Sequence, residues 1–214
     1  MHHSVRIPRL RHGIHLDTVE LELKPGGTLW PTHVLALSQP NSDDLTVDAE
    51  GDAECPLLIP IDEVTWREKT STPLPPSRPR RGSSGRVIVV PIVPLEVPHP
   101  DSIPLLLLFA MGLEPVLELA RQLLPPDVMG EFPDADAMVI RMGQDHDAEQ
   151  IQQYVVRNRQ LRFNSLRLGI LDRPIINMIE LSHKVAVRAQ DRRRLHNSGS
   201  RTPPLPAIRV DSGE

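Results

Sequence analysis

Residues 86–126, RVIVVPIVPLEVPHPDSIPLLLLFAMGLEPVLELARQLLPP, constrain this chain more than any other stretch. They open on 87–97, rich in the β-branched residues that favour the pleated, half-buried surface of a strand. Pro91 and Pro94 interrupt that strand, and a proline cannot donate to a β-ladder. The two prolines therefore predict an edge strand, or a strand broken in two. Pro98-His99-Pro100 follows as a forced extended corner. Asp101 is the expected N-cap of a helix reaching Met111, with Gly112 as its stop. Residues 105–111 give that helix no polar face, which predicts a place inside the core. The run is far shorter than the about 20 apolar residues of a membrane span. No membrane is expected among the partners.

Composition narrows the class. With 3% aromatic residues and 23 prolines, part of the chain is expected to stay unpacked, leaving one domain with disordered segments or at most two small ones. A formal charge of −4 gives no global attraction for nucleic acid or an anionic membrane. The single cysteine, Cys55, excludes an internal disulfide framework and fits a reducing compartment. The first ten residues hold no apolar signal core, so the expected location is intracellular, in cytoplasm or nucleus.

Residues 1–15 read as a flexible arm. In 17–23, DTVELEL, Val19, Leu21 and Leu23 alternate with Glu20 and Glu22, as in a half-buried strand. Lys24-Pro25-Gly26-Gly27 makes a turn into a second strand at 28–30, giving a hairpin. Residues 33–37 read as one short helical turn. Residues 39–55 are an acidic surface excursion, and 56–66 a short strand anchored by Trp66. From 67 to 85 the chain is rich in Pro, Ser and Arg and nearly without apolar residues, which predicts a disordered loop.

Helices follow. Pro115 opens one through Leu124, with Val116, Leu119, Ala120 and Leu123 on one face, and Pro125-Pro126 ends it. A short helix, DADAM, comes after Phe132-Pro133. Asp147 and Gln150 form a capping box before Ile151, Val155, Asn158, Leu161, Ser165 and Leu168, an amphipathic helix of about five turns closed by Gly169. A last helix starts near Pro174, with Ile175, Ile179, Ser182, Ala186 and Ala189 as its stripe. It ends on Arg192, Arg193 and Arg194, which complement the helix dipole. The expected architecture is α+β: a small mixed sheet (an N-terminal hairpin in 16–66 plus a later edge strand) packed against a C-terminal cluster of helices in 86–196. A disordered tail is expected over 197–214.

Three pieces resemble a BTB/POZ domain: 17–23 with the Gly26-Gly27 turn and Trp30-Pro31-Thr32-His33-Val34-Leu35-Ala36-Leu37-Ser38; the strand and glycine-stopped helix of 87–112; and the paired helices after Asp147. In that resemblance His33 is structural. The run VVPIVPLEVPHPDSIPLLLLFAMGLE, then LLPPDVMGEFPDADAM, then LGILD and the arginine-ended helix is similar to the clampless family, over residues 87–196. These are basidiomycete fungal proteins of clamp-cell formation and sexual development. Two departures bear on what is carried over. The Ser-Arg-Ser-x-x-Phe stretch of BTB domains is missing, and Phe109-Ala-Met stands where the middle helix is usually tyrosine-rich. The resemblance therefore does not carry dimerisation or cullin binding with it.

The chemistry-bearing residues are sparse. Asp145, His146 and Asp147, with Glu149 near, offer metal-type ligands, but consecutive residues cannot all face one ion. An acid-rich helix N-terminus is the simpler account. His12, His15, His33, His99 and His183 are scattered. Cys55 sits between an acidic stretch and Pro56, where neighbouring carboxylates disfavour a thiolate. Gly82-Ser83-Ser84-Gly85 precedes a strand, the wrong order for a phosphate loop. No catalytic residue, cofactor or metal is expected. Ser83, after Arg78, Arg80 and Arg81, is a candidate for a basophilic kinase, and Thr202-Pro203 for a proline-directed one.

The expected function is thus a non-enzymatic protein–protein interaction domain, acting in fungal development as the resemblance implies. Its partner is another protein or a second copy. Val89 and Ile92 on the edge strand and Ile175, Ile179 and Val185 on the last helix are the candidate contacts, weighed against plain core packing. One rival is a DNA-associated regulator using 188–194, although direct nucleic-acid binding is disfavoured because few aromatics accompany the charges. Another is an enzyme whose pocket pairs His99 with a carboxylate near Asp101.

Overall fold

The computed structural model describes residues 5–6, 17–23, 30–40, 56–77, 79–81 and 86–199. Among them the chain is mixed α+β. Six strands run as β1 (Val5–Arg6), β2 (Thr18–Leu23), β3 (His33–Ser38), β4 (Leu57–Ile61), β5 (Arg80–Arg81) and β6 (Val87–Glu96). Seven helices complete the described residues: α1 (Glu63–Lys69), α2 (Ile103–Ala110), α3 (Val116–Leu123), α4 (Pro126–Met129), α5 (Ala135–Asp145), α6 (Ala148–Leu168) and α7 (Arg173–Gly199). The strand order is β1-β2-β6-β3-β4, with β5 also on β6.

The strand expected at an edge is central. β6 pairs antiparallel with β2 through 87–91 and parallel with β3 through 92–96. Its prolines are tolerated because of parity. Along a strand, successive N–H groups point to opposite neighbours. Ile92 N–H donates to Asp17 O on the β2 side, and Val97 N–H to Ser38 O on the β3 side. Pro94 thus lacks an N–H on the β2 side, beyond the last β2 pair at Pro91. Pro91 lacks one on the other side, between the end of β5 at Val89 and the start of β3 at Ile92. Both missing donors fall in gaps of the ladder.

The next described strand after β2 is not its hairpin partner, because β6 lies between β2 and β3; of the expected second strand at 28–30, Trp30 is outside any strand and the other two residues lie outside the described ones. The turn at 24–27 lies outside the described residues. Residues 33–37, expected as a helical turn, are the central strand β3. Val34 and Leu35 are both fully buried, so β3 has core on both faces and lacks the alternation that marks a strand. One face, with Leu35, Leu37, Ile59, Ile61 and Leu95, packs on α2, α3, α6 and α7. The other gathers Val19, Leu21, Val34, Ile88 and Val90. Each such buried side chain contributes roughly 1.5–3 kcal/mol before entropy is counted.

Part of the expected 67–85 loop is structured. Residues 67–69 belong to α1, whose Trp66 is buried, and Trp66 Nε1 donates to Thr72 O at 2.7 Å. Thr72 Oγ1 donates to Leu168 O at 2.9 Å, Ser71 N–H to Gly169 O and Leu171 N–H to Lys69 O. Residues 69–72 thereby clasp the C-terminal end of α6. Buried His33 adds a second tie. Its Nε2 donates to Pro75 O at 2.8 Å, which leaves Nδ1 to accept from the Thr32 hydroxyl, itself the acceptor of Glu63 N–H. A low density of apolar residues predicted disorder, but backbone hydrogen bonds and Trp66 hold this segment instead.

The helices follow the sequence closely. Asp101 is not the N-cap of α2: it lies exposed in a 3-10 turn (Pro100–Ser102), and Ser102 occupies the cap. Gly112 does stop the helix, at φ 69°. α5 is 11 residues long, longer than the expected DADAM turn, and starts at the N-cap Asp134. The Asp147–Gln150 capping box opens α6 and Gly169, at φ 60°, closes it. α7 continues to Gly199, past the expected end of the helix, so the three arginines are not its last turn and 197–199 are helical.

Candidate interaction face

The structure scatters most of the expected contact residues. Ile175, Ile179 and Val185 are at most 1% exposed, so the core packing weighed against interface is the role they fill. Val89 and Ile92 are half-buried on central β6, which pairs with β2 over 87–91 on one side and with β5 at 88–89 and β3 from Ile92 on the other. Edge strand β4 offers little in its place. Ile61 O accepts from Thr32 N–H on the β3 side, so the backbone groups of Leu58 and Pro60 point away from β3, and Pro60 has no N–H to give. Ser83, Thr202, Cys55, His12 and His15 lie outside the described residues.

His99 stands in a brace. Asn164 Nδ2 donates to His99 O at 2.6 Å and to Ser102 Oγ at 2.7 Å, and its Oδ1 accepts His99 N–H at 3.3 Å. The His99 ring stacks on Phe163 at 6.2 Å between centroids. Among the described residues no carboxylate hydrogen-bonds that ring. His146 Nε2 meets the Asp127 carboxylate at 3.0 and 3.2 Å, and Arg141 Nε reaches Asp145 at 2.7 Å. Burial pushes the Asp127 carboxyl up, but the hydrogen bond from His146 and backbone amides outweigh it and hold the group below its ordinary 3.8. Asp145, His146, Asp147 and Glu149 make no metal-binding group; none exists among the described residues.

The basic run on α7 is largely engaged in the fold. Arg193 donates to the carbonyls of Gly143 and His146 at 3.2 and 2.5 Å, closing the end of α5. Arg194 lies 3.9 Å from Asp191, and Arg188 lies 2.7 Å from Asp136. Arg192 is exposed. Beside them a groove of about 370 Å³ runs between α6 and α7, lined by Ile151, Gln152, Gln190 and Arg193 among others.

What sequence reasoning missed is the outer face of α6. Its inner face is buried at Ile151, Asn158, Leu161, Ser165 and Leu168. On the opposite side, seven and then three residues apart, stand Val156 at 41%, Phe163 at 36% and Leu166 at 66% exposed. The spacing places them on one solvent-facing stripe. Arg159 lies within it, its guanidinium 5.2 Å from the Phe163 ring centroid. Arg167 Nε donates to Glu96 O at 3.1 Å and Arg157 reaches Gln122, anchoring the flanks. Along α6 four arginines accompany one glutamate. The stripe is rigid, apolar and positively framed. It could have been found in the sequence as apolar residues out of phase with the core stripe.

No helix among the described residues is long and apolar enough to cross a membrane. In comparisons with known proteins, the chain matches no family model, no curated protein and no solved structure.

Proposed function

We propose that this chain is a non-enzymatic protein-interaction domain whose partner surface is the outer face of α6. The observation that carries the reading is the exposed stripe Val156, Phe163 and Leu166 framed by arginines. Large side chains with this exposure cost stability-neutral surface little when single, but a contiguous stripe on one rigid helix marks a contact surface. Its charge selects the occupant. The matching partner is an acidic segment with an apolar face, drawn to the four arginines of α6. A second copy docked face to face would set arginine against arginine, so the partner is a different protein rather than a homodimer through this helix. On the resemblance of 87–196 to the clampless family, we propose that such a domain acts in the regulation of fungal sexual development, with a BTB/POZ-like fold as part of the same proposal.

Leu166→Asp tests the proposal. The residue is two-thirds exposed, so the variant should melt within about 1 °C of the parent, as surface changes do. Proteins held by the parent chain in fungal extracts, then purified and titrated directly, should bind the variant at least about tenfold more weakly. Light scattering of the full chain should give a monomer. Equal binding by both chains, or a dimer abolished by Leu166→Asp, would refute the assignment.

A further inference from the structure

Beside the stripe, where α6 faces α7, lies a cluster of basic residues that form no ion pairs among the described residues. α6 and α7 run antiparallel, tied by a Gln190–Gln152 side-chain bond. That register sets the turn holding Arg159 and Arg162 against the turn of α7 that carries His183. Arg159 and Arg162 are three residues apart and therefore neighbours on one side of α6. Among the described residues, neither has a carboxylate within 4 Å, unlike Arg67, Arg121, Arg141, Arg188 and Arg194. His183 Nδ1 is buried with no hydrogen-bond partner. The same register sets Glu180, one turn earlier on α7, on the side of Arg162, and among the described residues the two form no ion pair within 4 Å.

We infer that Arg159, Arg162 and His183 form a binding site for a phosphate group carried by the docking segment. This rests on the interaction reading above and names the chemistry that the partner brings. Two guanidiniums supply planar N–H forks suited to phosphate oxygens. With Nδ1 buried, Nε2 is the ring nitrogen left to meet a third oxygen, as a donor when it carries the proton. The Phe163 ring, 5.2 Å from the Arg159 guanidinium, holds it in place and limits the freedom lost on binding. A phosphate is favoured over a carboxylate because its oxygens can take both guanidinium forks at once and its charge at neutral pH is about −1.5 to −2.

The titration of His183 gives the site its signature. In the free chain, burial and then the charges of Arg162 and Arg159 hold the imidazole below its ordinary 6.5. A bound dianion opposes both arginines, so occupancy should raise the His183 midpoint and take up a proton.

The test follows the His183 ring resonances of the full chain by NMR, with O-phosphoserine added at constant ionic strength. A saturable shift is expected, with the His183 midpoint rising by about one pH unit. Arg162→Gln should weaken the probe about tenfold and Arg192→Gln, outside the cluster, should not. No saturable shift, or equal binding by Arg162→Gln, would overturn the site. Vesicles of phosphatidylserine and phosphatidylcholine serve as a second probe; binding to them that Arg162→Gln removes, without response to O-phosphoserine, would assign the cluster to lipid and also overturn it. Loss of partner binding in Leu166→Asp with no effect of Arg162→Gln would leave the docking face standing and remove only the phosphate.

Discussion

Gly169 is a residue whose backbone and surroundings both resist a side chain. It closes α6 at φ 60°, and a Cβ there would come 1.8 Å from Ser71 Oγ and 3.1 Å from Ser71 Cβ. The serine hydroxyl can rotate away, so the left-handed backbone carries most of the cost. Gly169→Ala is expected to lose about 1–2 kcal/mol in urea unfolding, and Ser71→Gly in the same chain should restore only the steric part. Asp127 provides a pH test at the same scale. Its folded carboxyl titrates below the ordinary 3.8, because the hydrogen bond from His146 and backbone amides overcome burial. As pH falls, the unfolded chain takes the proton first. The stabilisation is therefore complete above pH 3.8 and lost as pH drops through the lower folded value. In urea melts through that window, Asp127→Asn should lose less stability than the parent; parallel curves would contradict the coupling.

Among the elements, β6 holds the sheet together and its prolines define where. Val93 N–H points toward β3, where the parallel pair runs through Leu35. Val93→Pro should cost at least about 3 kcal/mol, while Pro94→Ala, whose new N–H meets no paired strand, should change stability by less than about 0.5 kcal/mol. Denaturant midpoints of the two variants check the parity argument directly. The same contrast explains what the sequence could reveal. α6 and α7 were legible because capping by Asp147, closure by Gly169 and the 3.6-residue stripe are all local signals. β3 was misread because burial on both faces removes alternation, and β6 because its partners lie far away in the chain. The α6 face was obscured in a different way. Val156, Phe163 and Leu166 fall out of phase with the core stripe, a signal that sets them on the outer side but does not say how far neighbouring elements cover them.

For the whole molecule, the clasp decides whether sheet and helices act as one body. Trp66, 1% exposed, belongs to the core shared by β3, β4, α2 and α7, and its indole bonds to Thr72. Thr72 and Ser71 in turn bond to the last residues of α6, and Leu171 bonds back to Lys69. Pulling the helices away would expose the tryptophan and break each of these bonds at once. The two halves are therefore expected to unfold together. In a Trp30→Phe chain, which leaves Trp66 as the only tryptophan, fluorescence and far-ultraviolet circular dichroism should share one denaturant midpoint. Thr72→Val removes the bond to Leu168 and should shift both probes equally, by about 1 kcal/mol. A helical signal that outlasts the fluorescence change would mean that the clasp is only a contact between separately folding parts. The docking face of α6 would then be able to work without the sheet behind it.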